Sequence, residues 1–258
     1  MRDQIPALAI KGLFKNYGRA EIIRGIDLVI AKGERHALIG PNGAGKTTLF
    51  GLISGLVVPS QGEILLNGER ISGLPPHQIN RRGLSRSFQL TNIFPRMTVF
   101  ENIRCGLLWS KGEKYCFWRS IGSRRDIRDL ALHILNEIGM ASRAQDEAGL
   151  LAYAEQRALE IGIAIAGGAS VILLDEPTAG MSRAETRRVV DLVRRISEGR
   201  TLVIVEHDMS VVFDLADRIS VLVYGEIIAS GPPADIRANA KVRQAYLGQP
   251  SPNEDANA

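Results

Sequence analysis

One stretch of this chain reads Gly40-Pro41-Asn42-Gly43-Ala44-Gly45-Lys46-Thr47-Thr48. It satisfies every fixed position of the pattern G-x-x-x-x-G-K-[ST], whose glycines let successive backbone N–H groups converge on phosphate oxygens. The residues before it predict a strand, and those from Lys46 onward predict a helix whose N-terminus adds partial positive charge. An ordinary Gly-rich turn would not need the Gly-Lys-Thr tripeptide. The stretch therefore predicts a phosphate-binding loop.

Two side chains of this loop carry specific roles in that prediction. Lys46 is expected to reach the β- and γ-phosphates of a nucleotide, and Thr47 is expected to offer its hydroxyl to Mg²⁺. The candidate nucleotide-binding residues are the nine residues of the loop quoted above.

Length, composition and charge set broad limits on the molecule. The chain has 258 residues, 45% hydrophobic and 23% charged, which is ordinary for a globular protein of one large or two small lobes. The net charge of +4 is only mildly basic. Pairs such as Arg81-Arg82 are best explained as solvated helix faces, and no basic run carries interleaved aromatic residues. Nucleic acid is therefore not an expected partner.

Targeting and membrane signals are weak. Cys105 and Cys116 have no metal-like spacing and make a poor disulfide framework, which fits a reducing cytosol. The first residues contain no apolar signal core. The longest uncharged apolar stretch, residues 161–174, is shorter than the about 20 residues that cross a bilayer, and Gly167-Gly168 interrupts it. Any membrane role is expected to come through a partner.

The first third of the chain is predicted to be rich in antiparallel strands. Residues 7–10 and 22–30 flank a turn, and residues 62–68 end in an Asn-Gly turn signal. The Pro-rich stretch 75–78 can open a short helix, and residues 84–89 predict a short strand.

Residues 98–140 are predicted to be helical. Thr98 is a good N-cap, and Glu101 can complete a capping box. A second helix over residues 126–138 has apolar residues at spacings of three and four and ends at Gly139. These apolar residues are Ile127, Leu130, Ala131, Ile134, Leu135 and Ile138. The aromatic residues between the two helices, within 109–122, are expected to pack locally rather than to bind a partner.

The last hundred residues predict alternating strands and helices. Residues 158–166 fit either a strand, by alternation, or a buried helix that is apolar all round. Residues 171–174 predict a strand buried on both faces. After it the pattern predicts, in order, a helix (183–196), a strand (201–205), a helix (209–215), strands (219–223 and 226–229) and a helical tail. This alternation indicates a doubly wound α/β fold.

Two carboxylates stand at the end of that buried strand. Asp175 and Glu176 follow residues 171–174, and ligands of open α/β sheets bind at the carboxyl ends of strands. Asp175 can hold Mg²⁺, and Glu176 can orient and deprotonate an attacking water. The alternative, an acidic turn before Pro177, is disfavoured by the presence of the phosphate-binding loop.

With these residues in view, the chain resembles an ATP-binding-cassette (ABC) transporter ATPase over nearly its whole length. Residues 40–47 match the Walker A motif, and residues 171–175 match Walker B. The resemblance implies that Gln89 is the Q-loop glutamine at the metal, that His207 is the switch histidine at the γ-phosphate, and that Tyr17 stacks on adenine. It implies an ATPase with Glu176, His207, Gln89 and Lys46 as catalytic residues, Thr47, Gln89 and Asp175 at the metal, and ATP and Mg²⁺ as cofactors.

A narrower resemblance is to the importers of branched-chain (hydrophobic) amino acids. It is carried by residues 88–98, 177–182, 205–209 and the tail 231–248. Relatives that handle urea, amides or aromatic acids share much of these segments. The expected fold is a P-loop NTPase cassette with an antiparallel β subdomain and an inserted helical subdomain. It would be a single nucleotide-binding domain over 1–248, with the helical subdomain at about 84–166 and a disordered tail at 249–258.

The resemblance also implies partners. Two cassettes, identical or different, would pair head to tail around two ATP molecules and bind transmembrane permease subunits at the cytoplasmic face of the inner membrane. A periplasmic or extracellular solute-binding protein would take part indirectly. ATP binding would close the pair, and hydrolysis would reopen it.

Other classes fit less well. A cassette of translation or DNA repair usually carries tandem cassettes or a long coiled-coil insertion, and neither is present. Gln89, Glu176 and His207 together disfavour a P-loop kinase. A non-hydrolysing subunit is disfavoured because Lys46, Asp175, Glu176 and His207 are all present.

One departure from the family pattern suggests an unequal pair. Residues 151–156 occupy the position of the signature motif, typically L-S-G-G-Q, but carry Ala152 and Ala154. Ala152 lacks a hydroxyl, and Ala154 would be strained if that position required positive φ. Since the signature serves the partner's nucleotide, we expect this chain to pair with a different cassette and to hydrolyse ATP weakly alone.

Overall fold

The fold comes from a computed structural model that describes residues 5–86, 93–110 and 125–244. The strands are β1 (Leu8–Tyr17), β2 (Ala20–Ile30), β3 (Arg35–Ile39), β4 (Gln61–Leu66), β5 (Glu69–Arg70), β6 (Leu84–Arg86), β7 (Val171–Asp175), β8 (Thr201–Val205), β9 (Arg218–Val223) and β10 (Glu226–Gly231). The helices are α1 (Lys46–Ile53), α2 (Pro76–Arg81), α3 (Val99–Ser110), α4 (Arg125–Glu137), α5 (Tyr153–Ala166), α6 (Arg183–Ile196), α7 (Met209–Leu215), α8 (Pro233–Ala238) and α9 (Ala240–Val242). The chain forms two compact units, Met1–Gly73 with Val205–Ala258 (unit 1) and Leu74–Ile204 (unit 2).

Unit 1 contains the predicted antiparallel sheet, with strand order β2-β1-β4-β5. Tyr17 pairs with Ala20 across the tight turn between β1 and β2. The predicted Asn-Gly turn joins β4 to β5, where Asn67 and Gly68 have φ of 50° and 86°. Two successive positive φ angles produce the backbone twist that a two-residue hairpin needs. The sequence prediction for this region is confirmed.

Unit 1 also contains the strand that leads into the phosphate-binding loop. β3 lies parallel to β9, which pairs antiparallel with β10. Four of the five residues of β3 are buried. A core of aliphatic side chains from β3, α7, β9 and α8 holds these elements, among them Ile39, Val212, Ile219, Val221 and Ile236. The loop therefore begins at the end of a strand fixed on both faces.

An ion pair fixes the beginning of β3. The Asp217 carboxylate accepts hydrogen bonds from the Arg35 backbone N–H at 2.9 Å and from its guanidinium Nε and Nη2 at 3.1 and 2.6 Å. These bonds to the charged form hold the pKa of Asp217 below its usual value.

Replacing Asp217 by Asn is expected to lower the melting temperature at neutral pH. A carboxyl with a depressed folded-state pKa stabilises the fold above its unfolded pKa, and that contribution is lost as pH falls through the folded-state value. The difference in melting temperature between wild type and variant should therefore shrink below about pH 4. The check is thermal unfolding from pH 3 to 7, with the exposed Asp129→Asn as control. A difference that does not depend on pH would refute this account.

Unit 2 combines short parallel strands with most of the long helices. β6 pairs parallel with β7, so that Leu84 lies opposite Val171, and β8 is the next strand beyond β7. All five residues of β7 are buried, as predicted. At α3 the capping box is confirmed: the Thr98 N–H donates to Glu101 Oε2 at 2.9 Å, and the Glu101 N–H donates to Thr98 Oγ1 at 3.1 Å.

The structure decides one open prediction for unit 2 and corrects another. Residues 158–166, which fitted a strand or a helix, form the second part of α5, and most of their side chains are buried. In α4 the expected apolar face is correct except for Leu130, which is exposed. The helix is followed by Gly139 at φ of 74°, which ends it as predicted.

Some predictions fall outside the described residues. The strand predicted over 84–89 is described only as β6, to Arg86. Gln89, most of the aromatic segment 109–122 and the tail 249–258 are likewise not covered. Within the described ranges, no helix combines the length and the apolar character needed to cross a membrane.

Candidate functional site

The phosphate-binding loop of unit 1 is shaped by close backbone approaches. The Gly225 N–H donates to the Ala44 carbonyl at 3.0 Å, which ties the loop to the β9–β10 hairpin. A Cβ on Gly40 would lie 2.1 Å from the Leu222 carbonyl oxygen, so only glycine fits there. Gly45 has φ of 106°, a left-handed conformation that side chains disfavour. These positions explain the glycines of the motif.

The start of α1 suits an anion. Its N-cap residue, Gly45, has no side chain with which to cap the helix, and its first turn carries no acidic residue. Thr47 is exposed, and Gly43 borders open space. Free N–H groups at a helix N-terminus, with the helix dipole behind them, are the donors that phosphate oxygens take.

Lys46 is folded back over the same loop. Its ammonium donates to the carbonyls of Gly40 at 2.6 Å and of Pro41 at 3.0 Å, and the residue is only 7% exposed. Two carbonyls of the phosphate-binding loop thus hold the Lys46 ammonium against the loop.

Tyr17 lies at the end of β1 with 53% of its surface exposed. The Lys15 ammonium lies 4.7 Å from the centre of its ring and donates to the Val58 carbonyl at 2.9 Å. Lys15 pairs with Ile23, whose side chain would contact a Cβ at Gly45. Because residues opposite each other in an antiparallel pair share a face, Lys15 and Tyr17 lie on the face that carries the loop. The sequence analysis missed Lys15, although its spacing of two from Tyr17 on a strand was a usable signal.

His207 follows β8 and is exposed. Its backbone N–H donates to the carboxylate of the buried Glu206 at 3.0 Å. Asp208 caps α7 by accepting from the Ser210 N–H at 2.8 Å. These contacts fix the backbone around the exposed His207.

In unit 2, Asp175 ends β7 and is almost fully buried. Its Oδ2 accepts from the Arg86 guanidinium at 2.7 Å, and the two side chains are 3% and 9% exposed. Arg86 is the last described residue of β6, the parallel neighbour of β7. The sequence analysis missed Arg86, because the pairing of β6 with β7 that brings it to Asp175 leaves no local signal.

Glu176 has φ of 48°, an unusual value for a residue with a side chain. The turn that follows is closed by the Ala179 N–H, which donates to the Glu176 carbonyl at 3.2 Å. Strained backbone of this kind costs about 1–3 kcal/mol and is found mostly at functional sites. Glu176 is partly exposed, whereas the neighbouring Asp175 is buried.

The signature segment begins α5. Ala152 is the N-cap residue, in extended conformation, and its N–H donates to Glu155 Oε2 at 3.0 Å. An alanine side chain can return no hydrogen bond, so only half of a capping box is formed. Ala154 lies in the first turn of α5 and is not among the residues with positive φ. The expected backbone strain depended on a positive φ at Ala154, and its helical backbone does not meet that condition.

The described residues of each unit offer a metal few protein ligands. Within the described ranges, no cluster of three or more His, Cys, Asp or Glu residues could hold a metal alone. Mg²⁺ is usually held by one or two protein oxygens together with substrate phosphates. The exposed Thr47 hydroxyl and the Asp175 carboxylate are oxygen donors of that kind. Gln89, the third predicted ligand, lies outside the described residues.

Comparisons with known proteins agree with this geometry. The ABC transporter family profile matches residues 23–179, and a profile of the branched-chain amino acid ATP-binding cassette transporters matches residues 226–250. The chain is 36% identical to the high-affinity branched-chain amino acid transport ATP-binding proteins BraF of Pseudomonas aeruginosa and LivG of Escherichia coli. Each alignment covers 95% of this chain and 98% of the relative.

Solved structures show the same fold. The ADP conformation of an ATP-binding cassette of an ABC transporter superposes with a TM-score of 0.81 at 26% identity, covering 95% of this chain and 99% of that one. A dimeric, post-hydrolysis cassette bound to ADP and phosphate gives a TM-score of 0.72 at 25% identity, covering 88% and 98%.

Proposed function

Because this chain belongs to the ABC transporter family, we propose that it is the ATP-binding and ATP-hydrolysing subunit of an importer for branched-chain amino acids or related small solutes. The family membership makes it an ATPase with the P-loop cassette fold. The observation that carries the substrate class is the 36% identity to BraF and LivG over 95% of the chain. The match of residues 226–250 to the branched-chain profile also supports it. Importers of urea, amides or aromatic acids are the second candidates.

The proposed domain organisation is one nucleotide-binding domain over residues 1–248, with a helical subdomain at about 84–166. It is supported by the antiparallel sheet of unit 1 and by the helices α3, α4 and α5 of unit 2.

Each candidate residue has a proposed task. The loop N–H groups and Lys46 bind the triphosphate, Tyr17 stacks on adenine, and His207 holds the γ-phosphate. Thr47, Gln89 and Asp175 hold Mg²⁺, which when bound neutralises charge on the phosphates. Glu176 takes the proton from the attacking water, and its partly exposed position beside the buried Asp175 suits a base that must reach water.

The proposed partners are a second cassette and transmembrane permease subunits, with a solute-binding protein outside the membrane. The proposed location is the cytoplasmic face of the inner membrane. The dimeric cassette among the structural relatives supports pairing. Co-expression with candidate permease subunits and purification through a tag on this chain tests the assignment. We expect a stable complex whose ATPase rate rises with loaded solute-binding protein, and a chain that never retains a permease would contradict it.

Removing the Tyr17 ring is expected to weaken ATP binding threefold to tenfold. Aromatic stacking contributes about 0.5–1.5 kcal/mol, and 1.4 kcal/mol corresponds to a factor of ten. Titration of Tyr17→Ala with a fluorescent ATP analogue measures this, and Tyr17→Phe, which keeps the ring, should bind as wild type does. Unchanged affinity in the alanine variant would remove Tyr17 from the adenine site.

The signature segment gives a test of whether the paired cassettes differ. The chain alone is expected to hydrolyse ATP weakly, and Ala152→Ser with Ala154→Gly should raise that rate. The extended backbone at Ala152 suits a serine cap that would stabilise α5 by about 1 kcal/mol, and glycine in the first turn would cost about as much. The double variant should therefore have about the same melting temperature as wild type. A gain in its steady-state ATPase rate could then not be attributed to a gain in stability. High activity of the wild-type chain without a gain from the repair would indicate an ordinary homodimer.

A further inference from the structure

Nucleotide binding does not explain the buried ion pair between Arg86 and Asp175. The guanidinium Nη2 lies 2.7 Å from Asp175 Oδ2, and both side chains are more than nine-tenths buried. They come from adjacent parallel strands, with Arg86 opposite Leu173 in the register. The carboxylate thus has a buried cation beside it before any metal arrives.

The ion pair offsets the free-energy cost of burying the Asp175 carboxylate. A buried carboxylate without a compensating charge is costly, and removing one partner of a buried ion pair is strongly destabilising. Arg86 therefore places a compensating positive charge beside the buried Asp175 carboxylate. A divalent cation at the same carboxylate would replace that compensation and would also repel the guanidinium.

We propose that Arg86 is a positioning residue that supplies the positive charge at Asp175 until Mg²⁺ binds, and that it then yields the carboxylate oxygen to the metal. This inference rests on the proposed role of Asp175 as a metal ligand. In this arrangement Arg86 keeps the site ordered without nucleotide and sets the magnesium concentration at which the metal enters.

The surroundings give Arg86 room to withdraw. Its side chain borders a cavity of about 410 Å³ lined by residues of α2, β6, α3 and α5, together with Phe94. The lining includes Glu160, whose carboxylate already accepts from Arg157 at 2.9 Å, and Asn80, whose side-chain oxygen accepts from Trp109 Nε1 at 3.1 Å. An arginine that leaves Asp175 therefore has open space and polar groups beside it. A guanidinium enclosed on all sides could not exchange with a metal in this way.

The test measures nucleotide affinity as a function of free Mg²⁺. Fluorescent ADP is the probe, because ADP is not hydrolysed and the readout is then independent of turnover. In Arg86→Met, the free Mg²⁺ concentration at the midpoint of the affinity increase should fall roughly tenfold, since the competing charge is gone. ADP affinity in EDTA should stay within about threefold of wild type. Arg128→Met, on the exposed face of α4, is the matched control and should change neither quantity.

Two further variants keep the result decisive. Arg86→Lys retains a cation but loses the planar fork, so its midpoint should fall by about twofold to threefold; if Arg86→Met does not fold, this variant decides. Asp175→Asn should raise the midpoint or abolish the magnesium dependence. If the midpoint is unchanged or higher in the Arg86 variants while Asp175→Asn behaves as expected, the inference about Arg86 is overturned. The metal role of Asp175 then still stands. A midpoint unchanged in Asp175→Asn overturns the metal role of Asp175 and the inference with it.

Discussion

Replacing Glu176 by glutamine is expected to lower ATP turnover about a hundredfold or more while ATP affinity stays within about threefold. A positioned general base contributes on the order of 10²–10⁴ in rate, and an amide cannot accept the proton of the attacking water. Glutamine has the same length and keeps the hydrogen-bonding oxygen, so the turn at φ of 48° should survive the change. The checks are single-turnover hydrolysis and equilibrium ATP binding of the same preparation.

The Glu176 variant should also accumulate a closed pair of cassettes with ATP. Since the γ-phosphate stabilises the closed state and hydrolysis removes it, blocked hydrolysis shifts the equilibrium toward closure. Size-exclusion chromatography with ATP and Mg²⁺ detects this dimer. Glu198→Gln, an exposed carboxylate just beyond α6, is the control and should leave rate and dimerisation unchanged. Near-normal hydrolysis in Glu176→Gln would remove Glu176 from the role of base.

Replacing Lys46 by alanine is expected to lower both ATP affinity and turnover. A hydrogen bond to a charged group contributes about 1.5–3 kcal/mol, which corresponds to roughly tenfold to more than a hundredfold in affinity. The ammonium is already held by the Gly40 and Pro41 carbonyls, so no ordering of the side chain is needed before phosphate arrives. Isothermal titration with ATP and steady-state hydrolysis measure the two effects.

Loss of the two carbonyl contacts could also disturb the loop, so two controls accompany Lys46→Ala. Lys32→Ala removes an exposed lysine from the turn before β3 and should bind ATP as wild type does. Lys46→Arg keeps the charge and should recover part of the affinity if charge at the phosphate matters. Equal affinity in Lys46→Ala and wild type would contradict the assignment of the loop.

The sequence predicted most of the elements because their local signals agree. The helix start at Lys46, the Asn67-Gly68 turn and the Thr98 capping box each follow from chemistry within a few residues. Residues 158–166 could not be assigned from the sequence, because small residues between the isoleucines satisfy the period of a strand as well as that of a helix. Only burial within unit 2 distinguishes the two.

The candidate site was predicted as a set of residues, but their contacts were not. Arg86 and Asp175 are far apart in sequence and meet only because β6 and β7 are parallel neighbours. Lys15 over Tyr17 depends on a rotamer that spacing does not fix. At Ala154 the sequence left open whether the backbone has positive φ, and in the structure the backbone is helical. Long-range pairing and side-chain conformation are thus the parts that local sequence leaves open.

Solute uptake tests the central claim most directly, namely that this chain hydrolyses ATP to drive an importer of branched-chain amino acids or related solutes. The measurement is uptake of radiolabelled leucine, isoleucine and valine by cells that lack the gene, complemented with wild type or with Glu176→Gln at equal expression. We predict that wild type restores uptake of at least one of these amino acids and that Glu176→Gln does not. Two results would contradict the account. One is equal restoration of uptake by wild type and Glu176→Gln; the other is that neither form restores uptake of these amino acids or of urea, amides and aromatic acids.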